Sequence, residues 1–171
     1  MSRADPADIE LLVLDVDGVL TDGRIVYDDA GREAKAFCVR DGAGLKLWHR
    51  AGKRSAFLTG RQSGIVDRRA QELGVHAVRQ GALVKLPAFQ DILAELGAAP
   101  QRTAYVGDDL PDIPPMRQAG LAIAVADAVD EVKALADWVA PRPGGRGAVR
   151  WAIEQLLRAG GQWAKIMERY E

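Results

Sequence analysis

The 171 residues are enough for one well-buried domain and few for two. Hydrophobic residues make up 48% and charged residues 27%, a balance that excludes a disordered chain or a membrane-spanning bundle. The net charge of -1, with Lys and Arg scattered among Asp and Glu, leaves no basic stripe to follow a nucleic-acid backbone, so a small-molecule partner is expected.

Residues 1–8 carry acids and a proline where a secretory signal needs a basic start and an apolar run. Cys38 is the single cysteine, which gives no internal disulfide and no thiolate zinc site. A cytoplasmic protein is the expectation. The whole chain, 1–171, reads as a single domain.

Residues 11–14 form a short apolar run ending in Asp15, and similar runs recur at 56–58, 104–106 and 121–125. Each reads as a buried strand. Between them lie helical spacings such as Leu86, Phe89, Leu93 and Leu96, or Val149, Ile153, Leu156 and Leu157. The alternation predicts an α/β fold, a doubly wound parallel sheet covered by helices on both faces. Residues 24–27 and 33–39 flank Asp28-Asp29-Ala30-Gly31 and predict a β-hairpin inserted after the first strand. A tail at about 160–171, beyond Gly160-Gly161, is free to swing as a unit.

In doubly wound sheets ligands sit beyond the carboxyl ends of the strands, so the residues that follow the runs carry the functional information. Asp15 and Asp17 follow the first run, with Gly18 permitting a tight turn. Two crowded carboxylates call for a cation between them or a proton on one. Asp108 and Asp109 follow 104–106, and Asp112 comes one turn later. Thr59, Gly60 and Arg61 follow 56–58, where a hydroxyl and backbone N–H groups suit a phosphate. Lys85 opens the helix at 86–96, placing an ammonium at the positive end of its dipole. Mg²⁺ is satisfied by two or three such oxygens plus waters and phosphate.

The ordered set Asp15-Val16-Asp17-Gly18, Thr59-Gly60-Arg61, Lys85 and Gly107-Asp108-Asp109 resembles the haloacid dehalogenase superfamily of phosphatases. Val39-Arg40-Asp41-Gly42 and Gly144-Gly145-Arg146-Gly147-Ala148-Val149-Arg150 narrow the resemblance to its capless branch acting on phosphorylated sugar acids. That resemblance implies a Rossmann-like fold without a cap domain, and Mg²⁺ held by Asp15, Asp17 (through its backbone carbonyl) and Asp108. It implies Asp15 as nucleophile, Asp17 as acid and then base, and Thr59 and Lys85 on the transferring oxygens, with Asp109 and Asp112 orienting the site. Asp17, Cys38, Val39, Arg40, Asp41, Gly42, Gly60, Arg61, Arg69 and Lys85 match positions that contact substrate.

The implied substrate is an eight-carbon sugar acid phosphate of lipopolysaccharide precursor synthesis, with a nine-carbon sugar acid 9-phosphate as the alternative. A homotetramer is also implied, in which hairpins pack together and the tail reaches an adjacent site. Cys38 and Lys46 stand where relatives often have Asn and Arg.

A non-catalytic binding module or phospho-acceptor domain is the reading from another class. A phospho-acceptor domain carries adjacent acids after its first strand and its acceptor Asp after a central one. Here the first acids are spaced as Asp-x-Asp, and Thr59 follows Leu58. Asp22, Asp28 and Asp29 read as turn residues, His49 and His76 as surface or packing residues, and Trp48, Trp138 and Trp151 as packing residues or rings at a subunit boundary. Trp163 is the candidate anchor for the tail on a partner subunit.

Overall fold

The computed structural model describes residues 4–170. Its main sheet has six parallel strands in the order β5-β4-β1-β6-β7-β8. These are β1 (Leu11–Leu14), β4 (Arg54–Leu58), β5 (Ala77–Arg79), β6 (Thr103–Gly107), β7 (Leu121–Ala124) and β8 (Trp138–Val139). Every residue of β1, β6 and β7 is buried, which is why these segments read as unbroken apolar runs instead of alternating ones.

The helices are α1 (Val39–Arg50), α2 (Gly64–Leu73), α3 (Lys85–Leu96), α4 (Ile113–Gln118), α5 (Asp130–Leu135), α6 (Ala148–Ala159) and α7 (Trp163–Met167). Helix α1 packs against α2 and α6, while α4 packs against α3 and α5. With right-handed crossovers this gives two helical layers enclosing the sheet. Each helix turns an apolar stripe inward: Phe89, Ile92 and Leu93 in α3, and Val149, Ala152, Ile153, Leu156 and Leu157 in α6. A buried Phe or Ile of this kind stabilises the fold by roughly 1.5–3 kcal/mol.

The hairpin forms where expected but is shorter. Strands β2 (Val26–Tyr27) and β3 (Glu33–Ala34) pair over two residues each. Its turn closes through Gly31 N–H donating to the Asp28 carbonyl at 2.8 Å, and the Asp28 carboxylate accepts from Ala30 and Arg32 N–H. The arms do not extend over 24–39 because both strands of the ribbon are largely solvent-exposed, and Val39 already begins α1.

Residues 160–170 do not swing free of this chain: α7 packs on α6, and Tyr170 accepts from Arg50 at 3.4 Å. Trp163 lies under the Arg158 guanidinium, 4.5 Å from ring centre to carbon, which holds the tail by cation–π contact. Residue 171 lies outside the described residues. Among those described, the stretch between β1 and β4 holds the hairpin and α1, and that between Arg61 and Lys85 holds α2 and β5, so neither carries a cap domain. No helix among them is long and apolar enough to cross a membrane.

Candidate active site

The chain leaves β1 toward β4 and later returns to place β6 on its other side, so the switch point of the sheet lies at the carboxyl end of β1. Asp15 follows β1, Thr59 follows β4, and Asp108 follows β6. Lys85, the first residue of α3, reaches the same point. These four line a cleft of about 310 Å³ together with Asp17, Gly60, Arg61 and Asp109.

Gly18 has φ +93°, and a Cβ there would fall on the Asp108 carboxylate, so glycine is what lets Asp108 approach the turn after β1. Gly144 packs from the other side, where a Cβ would overlap the Gly18 carbonyl. The Gly144-Gly145 segment thus braces the Asp-x-Asp-Gly turn.

Asp15, Asp108 and Asp112 bring carboxylate oxygens within 4.8 Å of one another. Lys85 Nζ lies 2.7 Å from Asp112 Oδ1 and 2.9 Å from Asp15 Oδ1, the second contact lacking hydrogen-bond alignment. Burial, then the neighbouring Asp112 charge, pushes Asp15 up to about 6 against the pull of Lys85. Burial, then the Asp15 and Asp112 charges, pushes Asp108 up to about 8. Burial alone lowers Lys85, but Asp15 and Asp112 outweigh it and raise its pKa, so it stays charged.

A divalent cation fits this set. Asp108 Oδ1 is buried with no hydrogen-bond partner among the described residues, and a cation would relieve the repulsion that lifts both carboxyls. Asp112 is already occupied. Its Oδ1 accepts from Lys85 and from Tyr105 Oη, each at 2.7 Å, and its Oδ2 accepts from the Asp108 and Asp109 N–H groups. It orients the others. Asp109 caps the short 3₁₀ turn Leu110–Asp112 through Leu110 N–H at 2.8 Å.

A second network comes from the hairpin. Lys35, just beyond β3, donates to Asp17 Oδ1 and lies 3.3 Å from Glu33 Oε1. Arg61 donates to Tyr27 Oη at 2.9 Å and to Glu33 Oε1 at 3.4 Å, and Ser63 Oγ donates to Glu33 Oε2 at 2.5 Å. The Ser63 hydroxyl first, then Lys35 and Arg61, hold Glu33 below the usual carboxylate range.

Sequence reasoning missed Glu33, Lys35, Ser63 and Tyr105. The spacing Glu33-x-Lys35 offered one signal, since alternate residues of an extended segment share a face.

The other expected substrate positions form a separate patch. Val39 is 82% exposed at the start of α1, with Cys38, Arg40 and Gly42 beside it. Arg69 stacks on Phe37 and lies against Gly42. None of these lines the cleft with Asp15. Asp41 is buried and accepts from Arg150 N–H at 2.8 Å and Gly147 N–H at 3.2 Å, so its carboxylate serves the N-terminus of α6. His49 and His76 pack edge to face away from the cleft, with His49 bonded to Ser55 Oγ.

A parallel doubly wound sheet presenting Asp-x-Asp, Thr, Lys and Gly-Asp-Asp at successive strand ends is the architecture of an aspartate-based hydrolase. The family of haloacid dehalogenase-like hydrolases matches residues 74–152. The 3-deoxy-D-manno-octulosonate 8-phosphate phosphatase KdsC of Escherichia coli (strain K12) is 46% identical over 159 residues, covering 93% of this chain and 85% of its own. The crystal structure of 3-deoxy-D-manno-octulosonate 8-phosphate phosphatase from Moraxella catarrhalis, in complex with magnesium ion, phosphate ion and KDO, superposes with a TM-score of 0.95. Its identity is 40%, and the match covers 98% of this chain and 96% of that one.

The cobalt-bound enzyme of Haemophilus influenzae gives a TM-score of 0.89 at 41% identity, over 92% of both chains. The chain belongs to this family of haloacid dehalogenase-like phosphatases.

Proposed function

We infer that the chain is a Mg²⁺-dependent phosphatase that converts 3-deoxy-D-manno-octulosonate 8-phosphate to the free sugar acid and phosphate, for lipopolysaccharide precursor synthesis. The observation that carries this reading is the convergence of Asp15, Thr59, Lys85 and Asp108 on one cleft, with Asp17 at its edge.

Asp15 attacks phosphorus as the carboxylate. The P–O ester bond breaks as the Asp15 O–P bond forms, and Asp17 gives its proton to the leaving sugar oxygen. Asp17 then takes a proton from the water that hydrolyses the aspartyl-phosphate. Thr59 and Lys85 hold the transferring oxygens, and Lys85 neutralises charge that grows on them. Mg²⁺, held by Asp15, the Asp17 backbone carbonyl and Asp108, supplies Lewis-acid stabilisation of the phosphoryl oxygens when bound. Asp109 and Asp112 orient this set through their turn.

Arg61 and Gly60 receive the substrate beside the phosphate. The patch of Cys38, Val39, Arg40, Asp41, Gly42 and Arg69 serves the cleft of a neighbouring subunit in a homotetramer. Its separation from Asp15 within one chain supports that arrangement, and so does the uncapped cleft, which solvent would otherwise flood.

Magnesium-dependent phosphate release from 3-deoxy-D-manno-octulosonate 8-phosphate tests the chemistry, with Asp15→Asn expected to lose activity by on the order of 10⁴-fold or more. Equal rates for the two proteins, or a preference for simple hexose phosphates, would reject the reading. Light scattering after size exclusion checks the assembly, and a monomer at micromolar concentration would exclude the tetramer.

A further inference from the structure

We propose that Lys35 is a positioning residue for the leaving-group proton: by binding Asp17 Oδ1 it fixes that carboxyl so that Oδ2 faces the ester oxygen. The proposal rests on the reading of Asp17 as general acid. Its basis is geometric. The Lys35 side chain is 1% exposed, an unusual location for an ammonium; the Glu33 carboxylate lies 3.3 Å from it, and Asp17 Oδ1 accepts its hydrogen bond. Asp17 Oδ2 is buried yet has no hydrogen-bond partner among the described residues, and Arg61 Nε lies 3.9 Å from it. One oxygen is therefore tied and the other has no protein partner, on a residue that lines the cleft with Asp15 and Lys85.

The tie comes from outside the sheet. Asp17 stands on the turn after β1, whereas Lys35 is carried by the hairpin. Glu33 binds Lys35, Arg61 and Ser63 together, so the hairpin, the loop after β4 and the Asp17 carboxyl hold one another in register. In the first step the proton moves from Asp17 Oδ2 to the leaving oxygen as the P–O bond breaks. Lys35 keeps its own protons throughout. A carboxyl free to rotate would sample poses in which neither oxygen reaches the ester, and positioning losses of this kind fall on proton transfer more than on binding.

The test compares an alkyl phosphate, 3-deoxy-D-manno-octulosonate 8-phosphate, with p-nitrophenyl phosphate, whose leaving group departs as a stabilised anion and needs no proton. The parameter is kcat/KM, which reports the steps up to alcohol release and so excludes the later hydrolysis in which Asp17 acts as base. Lys35→Met is expected to lower kcat/KM for the alkyl ester about 100-fold and for the aryl ester by no more than about threefold. Lys35→Gln, which keeps a donor group on a slightly shorter side chain without the charge, is the second variant and should show the same split to a smaller degree. Equal losses on both substrates, in whichever variant folds as judged by thermal melting, overturn the proposal. Asp17→Asn run alongside separates the two levels: no split there rejects Asp17 as the acid, whereas a split there with none at Lys35 rejects Lys35 alone.

Discussion

Two charge networks meet at the cleft and are built differently. The first, Asp15, Lys85, Asp108 and Asp112, hangs on strand ends and a helix start, is largely buried, and crowds three carboxylates around one lysine. The second, Asp17, Glu33, Lys35 and Arg61, is assembled from the hairpin and a loop, and its members vary from a buried lysine to a half-exposed arginine. In the first, burial and then neighbouring negative charge drive the carboxyls up; in the second, hydroxyl and cation partners hold Glu33 down. The scaffold side is short of positive charge, which suits a metal and an incoming phosphate. The hairpin side is already balanced, which suits holding groups still.

The contrast predicts that removing a cation from each network has unequal consequences. Lys85→Met strands Asp15 and Asp112 in the interior and should cost about 3–5 kcal/mol in metal-free protein, measured by urea unfolding. A loss below about 1 kcal/mol would mean that the buried carboxyls simply take up protons.

The next effect is in pH. Asp15 near 6 and Asp108 near 8 are raised above their unfolded values, so the folded metal-free protein binds more protons, and these groups make stability fall as pH rises through both values. His49, held down at about 4 by burial and His76, opposes this trend in acid. Denaturation from about pH 7.5 to pH 8.5, above the ordinary histidine range, therefore isolates chiefly Asp108. Saturating Mg²⁺ should flatten the slope, and a slope unchanged by Mg²⁺ would place the ion elsewhere.

The smallest effect is expected at Glu33→Gln, where partial exposure limits the loss to under about 1 kcal/mol. A larger loss in calorimetry would show that the hairpin network is as tightly coupled as the buried one.

Much of the sheet and the scaffold network was readable because both are local. Leu11-Leu12-Val13-Leu14 is apolar throughout since helices cover both faces of β1, and whatever follows such a strand lies at the switch point. Asp15, Thr59 and Asp108 could be found that way, and Lys85 from its place at a helix start. Lys35 could not. It sits in a segment that looks like the exposed arm of a hairpin, and only the fold carries it back 18 residues to Asp17. Asp41 looked like part of a substrate loop, and only the fold shows its carboxylate capping a helix more than 100 residues away.

The amino-acid order alone thus settled the alternation of strands and helices, the absence of room for a cap, and the sequence of acids, hydroxyl and lysine along the strand ends. Those features follow from apolar periodicity and backbone geometry, which act over a few residues. Tertiary structure decided which oxygen of Asp17 is tied, which carboxylate of the acidic cluster is already filled by Tyr105 and Lys85, and why Gly144 must lie against Gly18. Pairing among buried polar groups depends on where distant elements dock, and no local pattern encodes that distance.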